Sequence, residues 1–275
     1  MEQLVTITRQ QHASAVELEA INCEICHQSG RYLVAQRTDL FLGGTTRFTM
    51  YQCQGCGVLY QYPRPTPQTI DRLYPDDYPQ YTHGIDTEHW LRRLDRRYGL
   101  HKRCKAILRH VKQGRLLDVG CATGDFLSEM QRQPGWSVVG IEPGSFAAHY
   151  TRSYVGIEVI QGILNTAPFT DQSFDAITMW DVLEHTYNPR IVIAEAARLL
   201  RPNGVLVINH PNIDSIDRHL FGHFWIGYEL PRHMYLFPAY LLRRWDPQPD
   251  GGVTLVASNP TYAPIALTNT MRPVA

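Results

Sequence analysis

A chain of 275 residues with 44% hydrophobic content has enough apolar material for one full α/β core and a small additional module. Lys plus Arg and Asp plus Glu number 26 each, so no basic excess is available to displace counterions from a run of phosphates, which argues against nucleic acid as a partner. No apolar run approaches the ~20 residues of a bilayer span, and the opening MEQLVTITRQQHASAVELEA lacks a secretory apolar core; the expectation is a soluble, cytoplasmic protein with no membrane partner.

The first predicted element is a small antiparallel β module over 20–62, rich in β-branched and aromatic residues and turning at Phe41-Leu42-Gly43-Gly44-Thr45-Thr46. It carries Cys23-Glu-Ile-Cys26 and Cys53-Gln-Gly-Cys56, two chelating turns that can place four thiolates around one tetrahedral zinc. A redox dithiol, an iron–sulfur site and disulfides are the alternatives, disfavoured because two matched pairs flank a β-like segment in a cytoplasmic chain. Four protein thiolates leave no open position, so such a zinc is structural. Cys104 and Cys121 read as packing residues. The prolines of Tyr62-Pro63-Arg64-Pro65-Thr66-Pro67 mark a boundary, with a short helix from Thr66-Pro67 through Tyr74. The organisation expected is a module over 1–66, a helical linker or cap over 67–112 and a main domain over 113–275.

A tyrosine-rich loop follows from Tyr74 to Gly84. From Glu88 to Lys112 apolar residues recur at helical intervals among many charges, predicting one or two amphipathic helices. Strand and helix then alternate. Arg115–Val119, Ser137–Ile141, Glu158–Ile160, Phe174–Trp180 and Gly204–Ile208 are strands. Asp125–Arg132, Ser145–Tyr154 and Pro189–Leu200 are helices. The pattern predicts a doubly wound α/β fold, mostly parallel, with helices on both faces.

In such a sheet ligands bind at the carboxyl ends of the strands. There the sequence reads Leu116–Gly124, LLDVGCATG, a strand entering a glycine loop whose backbone can approach a ligand. Alone it is also an ordinary tight turn. The spacing is wrong for a dinucleotide fingerprint and lacks the Lys-Ser/Thr of a phosphate loop. Glu142, a little over twenty residues after Asp118, ends the next strand, where a carboxylate can accept hydrogen bonds from both ribose hydroxyls of an adenosine.

Taken together, LLDVGCATG, Val139–Pro143 (VGIEP), Phe174–His185 (FDAITMWDVLEH) and Leu199–Val207 (LLRPNGVLV) resemble the successive motifs of the class I S-adenosylmethionine-dependent methyltransferases. The later stretch Pro211-Asn212, Phe221-Gly222, Trp225, Leu230-Pro231-Arg232-His233 and Phe237-Pro238 resembles the branch whose members often begin with a zinc ribbon, among them sugar and natural-product methyltransferases. The resemblance implies a Rossmann-like sheet of the seven-stranded type. It implies that Asp118 and the backbone around Gly120, Cys121 and Gly124 hold the methionine part of S-adenosylmethionine, and that Glu142 holds its ribose. Ile163 and Leu164 would border adenine, and Trp180 and Asp181 would lie near the methionine end. Ala122 departs from the commoner middle glycine.

A sulfonium methyl is already activated, so the protein's task is alignment and exclusion of water, with acid–base help only for a protonated acceptor. An aromatic face such as Trp180 can ease the sulfonium charge; core packing is the other reading of that residue. His185, in LEHTYNP after the fourth strand, is the first candidate for general base, and a structural role is its alternative. His233, in an aromatic segment expected to act as a lid, is the second. Glu184 reads as a helix-start acid, and His219 with His223 lacks a third ligand for a metal. Beyond Trp245 the family would show a helix and a Gly-Phe turn before a final antiparallel hairpin. Here DPQPDGG intervenes, with Val253–Ser258 and Ala266–Asn269 as candidate strands of a hairpin that is altered or incomplete. The function expected is methylation of a small-molecule acceptor; an RNA or protein methyltransferase with the ribbon as reader, and a cofactor-binding scaffold, are the alternatives.

Overall fold

The computed structural model describes residues 16–74, 90–243, 253–257 and 264–269. The tyrosine-rich loop beyond Tyr74 and the DPQPDGG segment lie outside the described residues.

The N-terminal module is built on a hairpin. Strand β2 (Arg31–Asp39) pairs antiparallel with β3 (Gly43–Cys53), and β3 pairs with β4 (Leu59–Gln61). Between them Gly43 and Gly44 adopt φ of +75° and +95°, the left-handed backbone that a tight turn needs and that glycine adopts without steric cost. A two-residue strand β1 (Leu18–Glu19) pairs with β5 (Arg64–Pro65). Where a helix was expected up to Tyr74, one 3-10 turn forms over Ile70–Leu73.

One long helix, α1 (Trp90–Leu108), then crosses to the main sheet and buries Leu100, Cys104 and Ile107. Strands β6 (Gly114–Val119), β7 (Trp136–Glu142), β8 (Val159–Gln161), β9 (Phe174–Trp180) and β10 (Leu200–Asn209) run parallel in the order β10-β9-β6-β7-β8. Their near-continuous apolar runs match a sheet covered on both faces. Helices α2 (Asp125–Gln131), α3 (Ser145–Tyr150, continued by a π turn over Thr151–Val155) and α4 (Pro189–Leu199) connect them. Helix α4 begins as its sequence dictates, with Pro189 in the first turn and Asn188 Oδ1 accepting from Ile191 N–H.

After β10 come helix α5 (Ile216–Phe221), a short strand β11 (Tyr235–Leu236) and helix α6 (Ala239–Arg243). Strand β11 adds antiparallel to β4, so the segment after the main sheet completes the four-stranded sheet of the N-terminal module. The two parts also share a core: Cys23, Val58 and Tyr60 pack in one apolar cluster with Leu183, Met234 and Phe237. At the far edge β12 (Val253–Ala257) and β13 (Pro264–Asn269) form the antiparallel hairpin, with β13 against β10. No described helix is long and apolar enough to cross a membrane.

Candidate functional site

The site forms where β6, β7 and β9 end. Parallel register places Asp118 beside Gly140 on one flank and Thr178 on the other. Asp118 is 2% exposed, and one carboxylate oxygen accepts from Thr178 Oγ1 at 2.6 Å. Burial pushes its carboxyl up to about 7; the Thr178 hydrogen bond and the Arg103 charge oppose the shift, and the nearby Glu142 adds to it.

The loop after Asp118 turns through three left-handed residues, Gly120 (φ +69°), Ala122 (+46°) and Gly124 (+78°). A Cβ on Gly120 would meet Val182 Cγ2 at 2.6 Å, so this position needs glycine for space as well as for φ. Ala122 takes the strained conformation that glycine would take freely. It is held on both sides: its N–H donates to Glu142 Oε2 at 2.9 Å and its carbonyl accepts from Thr151 Oγ1 at 2.9 Å. The other Glu142 oxygen accepts from Gly144 N–H at 2.8 Å. Glu142 therefore ties the loop to the end of β7, and each of its oxygens keeps a second lone pair. Burial raises its carboxyl, against those two backbone donors.

The Cys121 thiol reaches only the Ala122 carbonyl of the loop, at 3.9 Å. It is buried against Gly140, where a Cβ would come within 2.4 Å of Sγ, and burial pushes it far above the usual thiol range. Ile163, after β8, is 56% exposed, whereas the adjoining Leu164 is buried.

At the end of β9, Asp181 has φ +58°. Its N–H donates to the Asn209 carbonyl at 2.9 Å and its Oδ1 accepts from Asn209 Nδ2 at 2.7 Å. Arg103, from α1, lies 3.5 Å from Asp181 Oδ2 and 4.8 Å from the centre of the Trp180 ring, while Phe126 packs edge-on to that ring. The indole thus carries a guanidinium of the protein's own. Neither Arg103 nor Asn209 stood out in the sequence, because one sits in a charge-rich helix and the other merely closes a strand.

The next turn, Leu183–His185, holds a group of a different kind. Glu184, read from the sequence as a helix-start acid, does lie in the first turn of this 3-10 helix, and it is also fully buried. Neither carboxylate oxygen has a hydrogen-bond partner among the described residues, and burial drives its pKa well above the usual range. His185 Nδ1 lies 3.2 Å from the Arg232 carbonyl and 3.0 Å from Tyr74 OH; His233 Nδ1 lies 2.8 Å from the Gly227 carbonyl. A carbonyl can only accept, so each ring carries its proton on Nδ1 and its lone pair on Nε2. The rings meet edge to face with centres 4.7 Å apart, and His233 Nε2 is 3.5 Å from Glu229 Oε2. Burial lowers His185 to about 3 and His233 to about 4, so both are neutral at pH 7. The two histidines singled out separately in the sequence are neighbours in space.

The loop carrying His233 is pinned by Arg232. This fully buried guanidinium donates to both carboxylate oxygens of Asp39 in β2, at 3.1 and 3.0 Å, and to the Leu73 carbonyl at 3.0 Å. His219 Nδ1 donates to the Ser215 carbonyl at 2.8 Å and His223 packs on Phe224; neither joins a metal-binding group among the described residues.

In the N-terminal module the four sulfurs of Cys23, Cys26, Cys53 and Cys56 lie within 4.8 Å of one another, with Cys23–Cys56 at 3.6 Å and Cys26–Cys53 at 3.4 Å. These are far beyond a disulfide bond and close to the ~3.8 Å separation set by four sulfurs bonded at ~2.3 Å to a tetrahedral zinc. The hydrogen bond between Cys23 and Cys56 lowers the first thiol to about 5 and raises the second. Thiols this close do not all ionise unless a cation joins them.

Residues 89–245, more than half of the chain, match the family model described as a methyltransferase domain. A Mycobacterium tuberculosis protein named as a probable S-adenosylmethionine-dependent methyltransferase is 33% identical over 150 residues, covering 52% of this chain and 48% of that protein. A ubiquinone biosynthesis O-methyltransferase of Azorhizobium caulinodans is 27% identical over 146 residues, covering 50% of this chain and 54% of that protein. The chain spans about half the length of these curated relatives. Among solved structures, a Pyrococcus horikoshii protein superposes with a TM-score of 0.54 at 16% identity over 70% of this chain and 96% of the other, a likeness of fold.

Proposed function

Because this chain belongs to the methyltransferase-domain family, we propose that it transfers a methyl group from S-adenosylmethionine to a hydroxylated small molecule, a sugar, phenol or related metabolite. The observation that carries the reading is Glu142, a buried carboxylate that ties the glycine loop to β7 and keeps lone pairs for a ribose. Asp118 and the backbone of Gly120, Cys121 and Gly124 would hold the methionine part, Ile163 and Leu164 would flank adenine, and Trp180 and Asp181 would border the methionine end. When bound, the cofactor supplies an electrophilic methyl on a sulfonium.

The protein's residues then orient and exclude water. Asn209 and Arg103 hold Asp181 at the cofactor's edge. His185 and His233, the candidate bases, would lie on the acceptor side and orient the hydroxyl by accepting its hydrogen bond at Nε2, since burial makes both imidazoles weak bases. The names of the relatives support the methyl donor, and one of them an oxygen acceptor. We assign residues 1–66 to a zinc ribbon, 67–112 to a helical cap and 113–275 to the cofactor domain. In the ribbon the sulfur spacing supports a structural zinc.

Isothermal titration of the zinc-loaded chain with S-adenosylmethionine tests the reading. Binding that Glu142→Ala weakens at least tenfold is expected; no binding sinks it. Radiolabelled methyl donor incubated with a metabolite extract should label small molecules, and label in RNA or protein instead would refute the acceptor class.

A further inference from the structure

We propose that Glu184, His185 and His233 form a second metal site, for a divalent first-row transition cation bound through nitrogen and oxygen. One ligand atom from each residue lies within 4.8 Å of the other two. An ion with bonds of ~2.1 Å holds its ligands about 3 to 4.2 Å apart, so closing the site takes movements under about 1 Å.

Three features point to a cation rather than to ordinary packing. First, the Glu184 carboxylate is fully buried and neither oxygen has a partner among the described residues, an arrangement that costs several kcal/mol, in order of magnitude, unless a cation or proton joins it. Second, both imidazoles have the outer support that metal-bound histidines show: each Nδ1 faces a backbone carbonyl, of Arg232 or Gly227, which commits each Nε2 to its lone pair. Third, the lone-pair nitrogen of His233 faces a second carboxylate, Glu229, at 3.5 Å. Lone pairs of two imidazoles and the buried Glu184 carboxylate thus converge, and a cation among them would bind all three. The donor set differs from the sulfur quartet of the ribbon, and two imidazoles with one carboxylate leave open positions.

The turn follows β9 directly after Asp181, so an ion there would stand beside the cofactor end of the cleft. Its open positions suit an acceptor bearing an oxygen donor; a coordinated hydroxyl is more acidic than a free one, so with the ion bound the two imidazoles act as ligands and the hydroxyl proton leaves to solvent. That role deepens the proposed methyl transfer and rests on it; the binding of the ion does not.

The probe is Mn²⁺, a hard ion that thiolates bind poorly, added to the full chain whose cysteine site is already filled with zinc, with no methyl donor present. Electron paramagnetic resonance should show one Mn²⁺ per chain leaving solution, with hyperfine coupling to two imidazole nitrogens. Glu184→Gln and His233→Asn should each weaken binding at least tenfold, with zinc content and circular dichroism unchanged. Absence of Mn²⁺ binding at millimolar concentration, absence of nitrogen coupling in the unmutated chain, or binding indifferent to both substitutions would overturn the proposal. The nitrogen coupling needs no variant, so it decides the matter even where a substitution unfolds the chain. Failure to bind S-adenosylmethionine would count against the methyltransferase reading alone.

Discussion

The two sides of the cleft are built differently. On the side proposed for the cofactor the acids and the glycine loop are satisfied by nearby residues: Asp118 by Thr178, Glu142 by Ala122 and Gly144, Ala122 by Thr151. On the acceptor side His185, Glu184 and His233 come from two segments almost fifty residues apart, and the loop of His233 is fastened to Asp39, in a module at the other end of the chain. One side is a local motif closed on itself, while the other is assembled at distance and leaves Glu184 unsatisfied by the described residues. The difference teaches that the glycine-loop half can be read from contiguous sequence, whereas the half proposed for the acceptor depends on the N-terminal module staying folded.

The strongest way to break the comparison is through the cysteines. Cys53→Ser should abolish the proposed zinc site and destabilise β3 and β4, and with them β11 and the His233 loop. Because a structural zinc contributes on the order of 10 kcal/mol to folding of such small units, metal analysis and thermal unfolding should report loss of this part as a cooperative unit. A variant that keeps its fold without zinc would contradict this. Next in size is Asp39→Ala, which strands the buried Arg232 guanidinium and should cost about 3–5 kcal/mol in urea unfolding. It should spare the glycine loop, so cofactor affinity in the folded protein should change less than the stability does.

Gly120→Ala attacks the other side. The added Cβ meets Val182 at 2.6 Å in a left-handed conformation, and a loss of about 1–3 kcal/mol is expected, with cofactor affinity falling as well. Acid–base titration gives Asp118 and His210 opposite signs. Asp118 rises to about 7 in the folded chain, so its contribution to stability is present below its ordinary value near 4 and is lost as pH climbs through about 7. His210, near His233 and packed on Phe237, is lowered by burial to about 4; its contribution is present above about 6.5 and is lost as pH falls through about 4. Between these limits each group changes the slope of stability against pH by up to about 1.4 kcal/mol per pH unit, in opposite directions. Urea midpoints from pH 4 to 7 should therefore become steeper upward in Asp118→Asn and lose part of their rise in His210→Gln. Equal slopes in both variants would refute the assignment. The smallest effect expected is in Ala122→Gly, a gain of up to about 1 kcal/mol from relief of the left-handed strain, offset by the greater freedom of glycine in the unfolded chain.

Much of this protein was legible before the fold was seen. Periodicity placed the strands from Arg115 to Ile208 and the helices between them, because a parallel sheet covered on both faces leaves continuous apolar runs that alternate with amphipathic ones. The loop of LLDVGCATG, its acid Asp118 and the partner acid Glu142 could be found because strand, turn and acid follow one another within a short stretch. The cysteine pairs could be found because chelation imposes its spacing on the sequence. Glu184 was legible as a helix-start acid, the place it occupies, but its complete burial was not, because burial of a carboxylate has no signature in one dimension. Arg103, Asn209 and Asp39 stayed hidden for a related reason, since an arginine among arginines or an asparagine ending a strand becomes specific only by what lies across from it.

The amino-acid sequence by itself determined the sheet, the glycine loop and the sulfur quartet, all of which arise from short-range geometry that repeats or spaces residues along the chain. Only the tertiary structure decided that β11 completes the N-terminal sheet, that Arg232 is locked to Asp39, and that His185 and His233 face one another beside Glu184. Those pairings are fixed by burial of a shared core and by the charges and lone pairs that burial brings together, and neither quantity belongs to any one segment.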